Sequence, residues 1–172
     1  MKRTFTLIIL LSVATFIANA QESFRKFRLG IGVEGNLPGS GLKDAYSFGT
    51  GLTLRAQYNV TKEIGITLTS GAIAFIPKDI RGSSAKAALD IPVKVGGKYM
   101  ITDNFYAIGE IGFSSLRVFY KDADDKIQRS PASSSFTYAP GVGIQLGFLD
   151  IGIRYEAFEN ANFIGARVGI NF

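Results

Sequence analysis

Three observations predict an all-β chain: eight segments with apolar residues at every second position, turn-forming residues between those segments, and an apolar leader ahead of them. The architecture they imply is an eight-stranded antiparallel transmembrane up-and-down β-barrel following a cleaved signal peptide. Beyond Gln21 no long stretch carries a helical apolar stripe.

The leader comes first in the chain. Lys2 and Arg3 precede an apolar run from Phe5 to Ala18, which closes on Ala18-Asn19-Ala20, small residues that suit a signal peptidase. Residues 1–20 are therefore expected to be a signal peptide, with an uncleaved anchor as the alternative, and residues 21–172 an outer-membrane β-barrel domain. Taking 20 residues from 172 leaves 152, enough for one ordinary domain. Of the 19 basic residues two leave with the leader, so 17 face 14 acidic ones, a mild net charge of +3. The basic residues are scattered, so no nucleic acid is expected as a partner.

Each strand follows from its alternation. In the first, Phe27, Leu29, Ile31 and Val33 oppose Arg28, Gly30, Gly32 and Glu34. The second sets Phe48, Leu52, Leu54, Ala56 and Tyr58 against Gly49, Gly51, Thr53, Arg55 and Gln57. The third, from Ile64 to about Ile76, is regular through Leu68 and mixed beyond Ser70, which suggests a bulge. The fourth alternates Leu89, Ile91, Val93, Val95 and Tyr99 with Asp90, Pro92, Lys94, Gly96 and Lys98.

The fifth divides less sharply, placing Phe105, Ala107, Ile111 and Phe113 opposite Tyr106, Ile108, Glu110, Gly112 and Ser114. The sixth runs from Phe136 to Phe148 on its apolar phase, against Thr137, Ala139, Gly141, Gly143, Gln145 and Gly147. In the seventh, Ile151, Ile153 and Tyr155 oppose Gly152, Arg154 and Glu156. The last sets Ala166, Val168, Ile170 and Phe172 against Gly165, Arg167, Gly169 and Asn171.

Connections alternate long and short, as in barrels with short turns at one end and longer loops at the other. The short ones are expected at Asn59 to Lys62, Ile101 to Asp103 and Leu149-Asp150. The long ones are expected at Leu37 to Tyr46, Pro77 to Lys86 and Arg117 to Ser135; only the last outer loop, Glu159 to Asn162, is short.

Alternation alone also fits a soluble sandwich or a lipocalin-like barrel. What favours lipid outside is the second face, which is mostly Gly, Thr, Ser and Ala with single charges of both signs. A water-facing surface would be rich in Lys, Glu and Asp, whereas small residues suit the crowded lumen of eight strands. Phe27, Phe48, Tyr58, Tyr99, Phe105, Phe136, Tyr138, Phe148 and Phe172 lie near strand ends, as two interfacial girdles require.

With its "ANA" leader ending, the strands "LDIPVKVGGKYM" and "ITDNFYAIGEIGF", and an aromatic final strand, the chain resembles the bacterial outer-membrane β-barrel family of small porin-like proteins. That family includes the outer-membrane protein A/X-type eight-stranded barrels. The resemblance covers Phe27 to Phe172 and implies the bacterial cell outer membrane as location. It further implies that Val168, Ile170 and Phe172 form the C-terminal signal read by the barrel-assembly machinery. Expected partners are that machinery and outer-membrane lipid, with the barrel a monomer. The short fourth outer loop departs from the family pattern.

The second-face charges Glu34, Arg55, Lys94, Glu110, Arg154, Glu156 and Arg167 all point into one narrow lumen. Isolated charges there would be costly, so they are expected to pair, forming a rigid plug or, alternatively, a gated ion path. Asp122, Asp124 and Asp125 lack the glycine and distal Glu of an EF-hand, so their loop reads as solvated. Ser83, Ser84 and Ser133 to Ser135 have no activating histidine, and Asn59-Val60-Thr61 matches a glycosylation acceptor by chance.

The chain has no cysteine and no histidine. It therefore has no disulfides, no zinc site of the usual kind and no Ser-His-Asp chemistry. No catalytic, cofactor-binding or metal residues are assigned, and no cofactor is expected. The expected function is that of a non-enzymatic barrel displaying its outer loops for envelope integrity or surface recognition. A narrow pore for ions or very small solutes is the alternative; a lipid-modifying hydrolase is disfavoured by the missing histidine.

Overall fold

Extended backbone turns successive side chains to opposite faces. A computed structural model, described over residues 25–78, 85–121 and 127–172, takes that geometry through most of its length. Its strands are β1 (Phe27–Pro38), β2 (Tyr46–Asn59), β3 (Ile64–Pro77), β4 (Ala85–Met100), β5 (Phe105–Lys121), β6 (Ile127–Arg129), β7 (Ser133–Leu146), β8 (Leu149–Ala157) and β9 (Asn162–Asn171). They pair antiparallel in the order β4-β3-β2-β1-β9-β8-β7-β5, and β4 also pairs with β5, which closes the barrel. Eight strands make the wall; the three-residue β6 extends the tip of β5, from Phe119↔Arg129 to Lys121↔Ile127.

The seam between the first and last strands runs from Gly30↔Asn171 to Pro38↔Phe163. It continues past the strand end, where Phe172 N–H donates to the Leu29 carbonyl at 2.7 Å. Closure matters because a sheet edge in hydrocarbon would leave backbone groups with no partner.

At one end the strands are joined by tight turns. Thr61 Oγ1 accepts the N–H groups of Glu63 and Ile64 at 3.1 and 3.0 Å, and Thr102 Oγ1 accepts that of Phe105 at 3.0 Å. The third turn is Gly147-Phe148 rather than the expected Leu149-Asp150: Leu146 pairs with Leu149 and Gln145 with Asp150. Gly147 takes φ +59°, a left-handed conformation that glycine adopts without strain. Phe148 lies on the phase of the sixth strand's apolar face, which carries the alternation past the true turn.

Two further expectations are corrected. No bulge follows Ser70, since the β2–β3 register runs unbroken from Phe48↔Ile76 to Asn59↔Gly65; its irregularity is at Tyr46/Phe48. The mixed stretch arises because Ile73 and Phe75 turn inward and are fully buried. The loop expected from Arg117 is partly strand, as β5 stays paired with β4 up to Tyr120. The leader and the loop residues Ser83, Ser84, Asp122, Asp124 and Asp125 lie outside the described residues.

Outside, Leu29, Ile31 and Val33 of β1, Leu52 and Leu54 of β2, Val93 and Val95 of β4, and Val168 and Ile170 of β9 are all exposed. Soluble monomers rarely present contiguous apolar patches beyond roughly a few hundred Å². Here the apolar band encircles the barrel, a surface suited to acyl chains.

Aromatic residues border the band. Phe27, Tyr58, Tyr99, Phe105 and Phe148 face outward at the turn end, and Phe48, Phe113, Phe136, Tyr138 and Tyr155 face outward nearer the loops. From Phe105 to Phe113 is eight residues, about 27 Å along the strand at ~3.4 Å each, or about 21 Å once tilted by ~40°. That height fits a hydrocarbon core and places Phe113 and Phe136, an edge-to-face pair with centroids 5.9 Å apart, at the upper border.

Candidate functional site: the barrel lumen

Inward-facing positions carry the polar residues. Ten charged side chains are buried among the described residues: the cations Arg55, Lys94, Lys98, Arg154 and Arg167, and the anions Glu34, Asp90, Glu110, Asp150 and Glu156. Among these ten the charges balance, five against five. All seven charges singled out in the sequence are among them. Asp90, Lys98 and Asp150 are the additions.

The lower storey, toward the turns, gathers on Asp150. Its carboxylate accepts Arg167 Nη1 at 3.0 Å, Lys98 Nζ at 3.3 Å and the Tyr106 hydroxyl at 3.0 Å, with Arg55 Nη1 at 3.7 Å. Lys98 also donates to Gln145 Oε1 at 2.5 Å and lies 3.9 Å from the centre of the Tyr106 ring. The displaced turn makes this possible, because it starts β8 at Leu149 and turns Asp150 into the lumen.

Small residues make room for these groups. A Cβ at Gly32 would lie 2.6 Å from Arg167 Nε, and one at Gly169 2.6 Å from its Nη1, so the guanidinium lies flat against bare backbone. The Tyr106 ring likewise covers Gly143 and Gly152, where a side chain would collide with the phenol.

Glu110 links the lower storey to the next. It accepts the Thr69 hydroxyl at 2.6 Å and lies 3.8 Å from Arg55 Nε. Above it, Arg154 donates Nη1 and Nη2 to the two oxygens of Glu34, both at 2.6 Å, and Nε to Glu156 at 2.8 Å. Lys94 Nζ completes the group on Glu156 at 2.5 Å, and the Thr137 hydroxyl donates to the other oxygen at 3.3 Å. Such bidentate, charge-assisted contacts offset part of the desolvation that burial imposes.

The top storey is apolar. Leu42, Tyr46, Ile73, Phe75, Ala88 and Phe163 form a buried cluster, with Phe75 5.9 Å from Tyr46 and 5.6 Å from Phe163 between ring centres. Arg154 lies beneath it, 5.8 Å from the Phe163 ring. From turns to loops the lumen is thus two linked ionic storeys under an aromatic lid.

The remaining candidates sit elsewhere. Val168, Ile170 and Phe172 alternate along the outer face of β9 and just beyond its end, away from the lumen. Ser133 and Ser134 are exposed near the loops and Ser135 is half-buried. Asn59 and Thr61 serve the first turn: Asn59 Oδ1 accepts Gln57 Nε2 at 2.6 Å, and its Nδ2 donates to the Arg25 carbonyl at 2.6 Å. The described residues contain no cluster of acidic side chains that could hold a metal ion.

Comparison with known proteins agrees with this architecture. No curated protein sequence matches the chain. Among solved structures, Ail, the attachment invasion locus protein of Yersinia pestis, is similar with a TM-score of 0.63 at 12% identity, over 87% of this chain and 100% of that one. The N-terminal β-barrel domain of Pseudomonas aeruginosa OprF gives 0.59 at 10% identity, over 84% and 97%. Neisserial surface protein A gives 0.57 at 15% identity, over 87% and 98%. Identities this low speak for the fold alone. The family model described as the outer membrane protein beta-barrel domain matches residues 5–172, nearly the whole chain. With a closed eight-stranded wall, an apolar outer band and that match, the chain belongs to the outer membrane protein beta-barrel family and is a protein of the bacterial outer membrane.

Proposed function

We propose that the protein works without catalysis, as a rigid and sealed barrel that holds its loops at the cell surface for envelope integrity or surface recognition. One observation carries this reading: nine of the ten charged side chains buried in the lumen are ion-paired across it, beneath a lid of Tyr46, Phe75 and Phe163. Eight strands leave an interior just wide enough for side chains, and here those side chains bind one another. Apart from Asp90, the buried charges are engaged in holding the wall together, and without histidine the chain lacks the usual general base at neutral pH.

Short turns in this class face the periplasm, which puts the lidded end and the loops outside. On the same reading the barrel stands as a monomer in outer-membrane lipid. Val168 and Ile170 on the outer face of β9, with Phe172 just beyond its end, offer the assembly machinery an alternating apolar face.

Purified protein in planar bilayers tests the seal. The expected record shows no steady unit conductance; recurrent uniform steps would overturn the reading in favour of a narrow pore. Incubation with labelled lipid A tests the absence of catalysis, and turnover of the label above a boiled control would refute it.

A further inference from the structure

The outer wall carries almost no charge. Among the described side chains, the outward phase of the strands holds two charged residues, Arg117 of β5 and Arg129 of β6, and no acid. They share one face: Arg117 pairs with the outward Leu89 of β4, and Arg129 pairs with Phe119, two residues beyond Arg117 on β5. Diagonal neighbours of this kind stand roughly 7 to 8 Å apart, so two guanidinium groups can meet on one anion. Arg129 is exposed and Arg117 half-buried. Neither side chain makes an ion pair or hydrogen bond among the described residues.

Below them the same strip of wall changes in steps. Phe113 pairs with Phe136 at the upper border of the apolar band, and Ser115 pairs with Ser134 one outward row above. Arg117 follows two residues later. From membrane to mouth the strip thus runs aromatic, hydroxyl, cation. The wall elsewhere lacks this sequence: toward the loops β3 turns Ala72, Ala74 and Ile76 outward. Four residues separate Phe113 from Arg117, about 14 Å along the strand at ~3.4 Å each, or about 10 Å of height at a tilt of ~40°.

We propose that this strip binds a phosphorylated glycolipid of the outer leaflet. Arg117 and Arg129 hold its phosphate, Ser115 and Ser134 meet its sugar, and Phe113 and Phe136 meet its acyl chains. Guanidinium groups match phosphate through paired, charge-assisted hydrogen bonds. The partner is a lipid rather than a soluble anion because the strip lies on the side of the barrel, continuous with the band that faces acyl chains. Ordinary headgroups reach only about 5 to 7 Å beyond the hydrocarbon of each leaflet, short of Arg117. A sugar between acyl chains and phosphate makes up the difference, and its hydroxyls suit the serine row. The proposal takes from the functional reading above only that the loop end faces outward.

Native mass spectrometry of the full chain in neutral detergent micelles, with diphosphoryl lipid A added, tests this. Retained lipid A is expected, with lipid A stripped of both phosphates held at least about tenfold more weakly. Arg117→Gln combined with Arg129→Gln should weaken lipid A by at least about tenfold while keeping the heat-modifiable gel shift of the folded barrel. Lys43→Gln combined with Lys78→Gln, which removes exposed cations outside the strip, should leave it unchanged. Inorganic phosphate in molar excess should not compete. If the arginine variant does not fold, the comparison of the two lipids on the parent chain decides. No retained lipid A, equal retention of the stripped lipid, equal retention by the folded arginine variant, an equal loss in the lysine variant, or displacement by inorganic phosphate would each overturn the proposal. Micelles leave both ends of the barrel open, so orientation is tested apart, by surface labelling of intact cells through Glu159→Cys in a chain with no other cysteine. Labelling is expected; labelling only after lysis would overturn the orientation and with it the outer-leaflet partner.

Discussion

Arg154 grips Glu34 with both terminal nitrogens, each 2.6 Å from its own carboxylate oxygen. Glu34 belongs to β1 and Arg154 to β8, so the pair spans β9 and braces the seam between the first and last strands.

Removing that brace leaves Glu34 without its base and takes one of two from Glu156, which keeps Lys94. Arg154→Met should cost about 3 to 5 kcal/mol, the usual penalty for breaking a buried ion pair from one side. Adding Glu34→Met should recover part of the loss, since it takes away one uncompensated charge. The chain has no tryptophan, so urea unfolding in lipid vesicles is best followed by heat-modifiable gel migration.

Tyr106 can donate to Asp150 only because Gly143 leaves room for its ring. Gly143→Ala should displace the phenol and destabilise the barrel by about 1 to 3 kcal/mol. Gly97→Ala provides the contrast: a Cβ there meets nothing within 4 Å, and stability should stay within about 0.5 kcal/mol of the parent. The same urea titration compares them.

The outer band imposes a depth rule. Leu54, outward-facing and midway along β2 between Phe48 and Tyr58, should lose about 2 to 4 kcal/mol on substitution by Arg. Val60, in a turn at the membrane edge, should lose no more than about 1 kcal/mol on the same change. Equal costs at the two sites, read from unfolding in vesicles, would contradict the placement of the band.

Phe75 is the middle ring of the lid, in contact with Tyr46 and Phe163. Phe75→Ala should cost about 3 to 5 kcal/mol and loosen the outer mouth. Faster amide exchange at Tyr46 and Phe163, with Arg167 and Asn171 near the turns unchanged, is the expected signature.

How much of this was legible in the sequence follows from contrast between the two faces. Where apolar and polar residues alternate, as from Leu52 to Tyr58 or from Gly165 to Asn171, the side chains face as their pattern implies. Ile73 and Phe75 were illegible because both phases of that stretch are apolar, and only the register with β4 reveals which turns inward. Asp150 was missed because Phe148 kept the outward phase through the turn and hid the point of reversal. Gly147, preceding it, was the available clue. Asp90 and Lys98 stood on the correct face, yet nothing in their spacing marked Lys98 as ion-paired and Asp90 as not. Pairing across the lumen depends on which strands stand opposite, and a linear pattern does not carry that.

Methyl NMR of the protein in nanodiscs probes the inside-out assignment at its root. A lipid-soluble nitroxide should broaden the methyl signals of Leu52, Leu54 and Val168 and spare Ile73, which is wholly buried in the lumen. Broadening of Leu52 and Leu54 by a water-soluble agent instead, with the lipid-soluble one inert, would mean that the apolar face does not meet acyl chains.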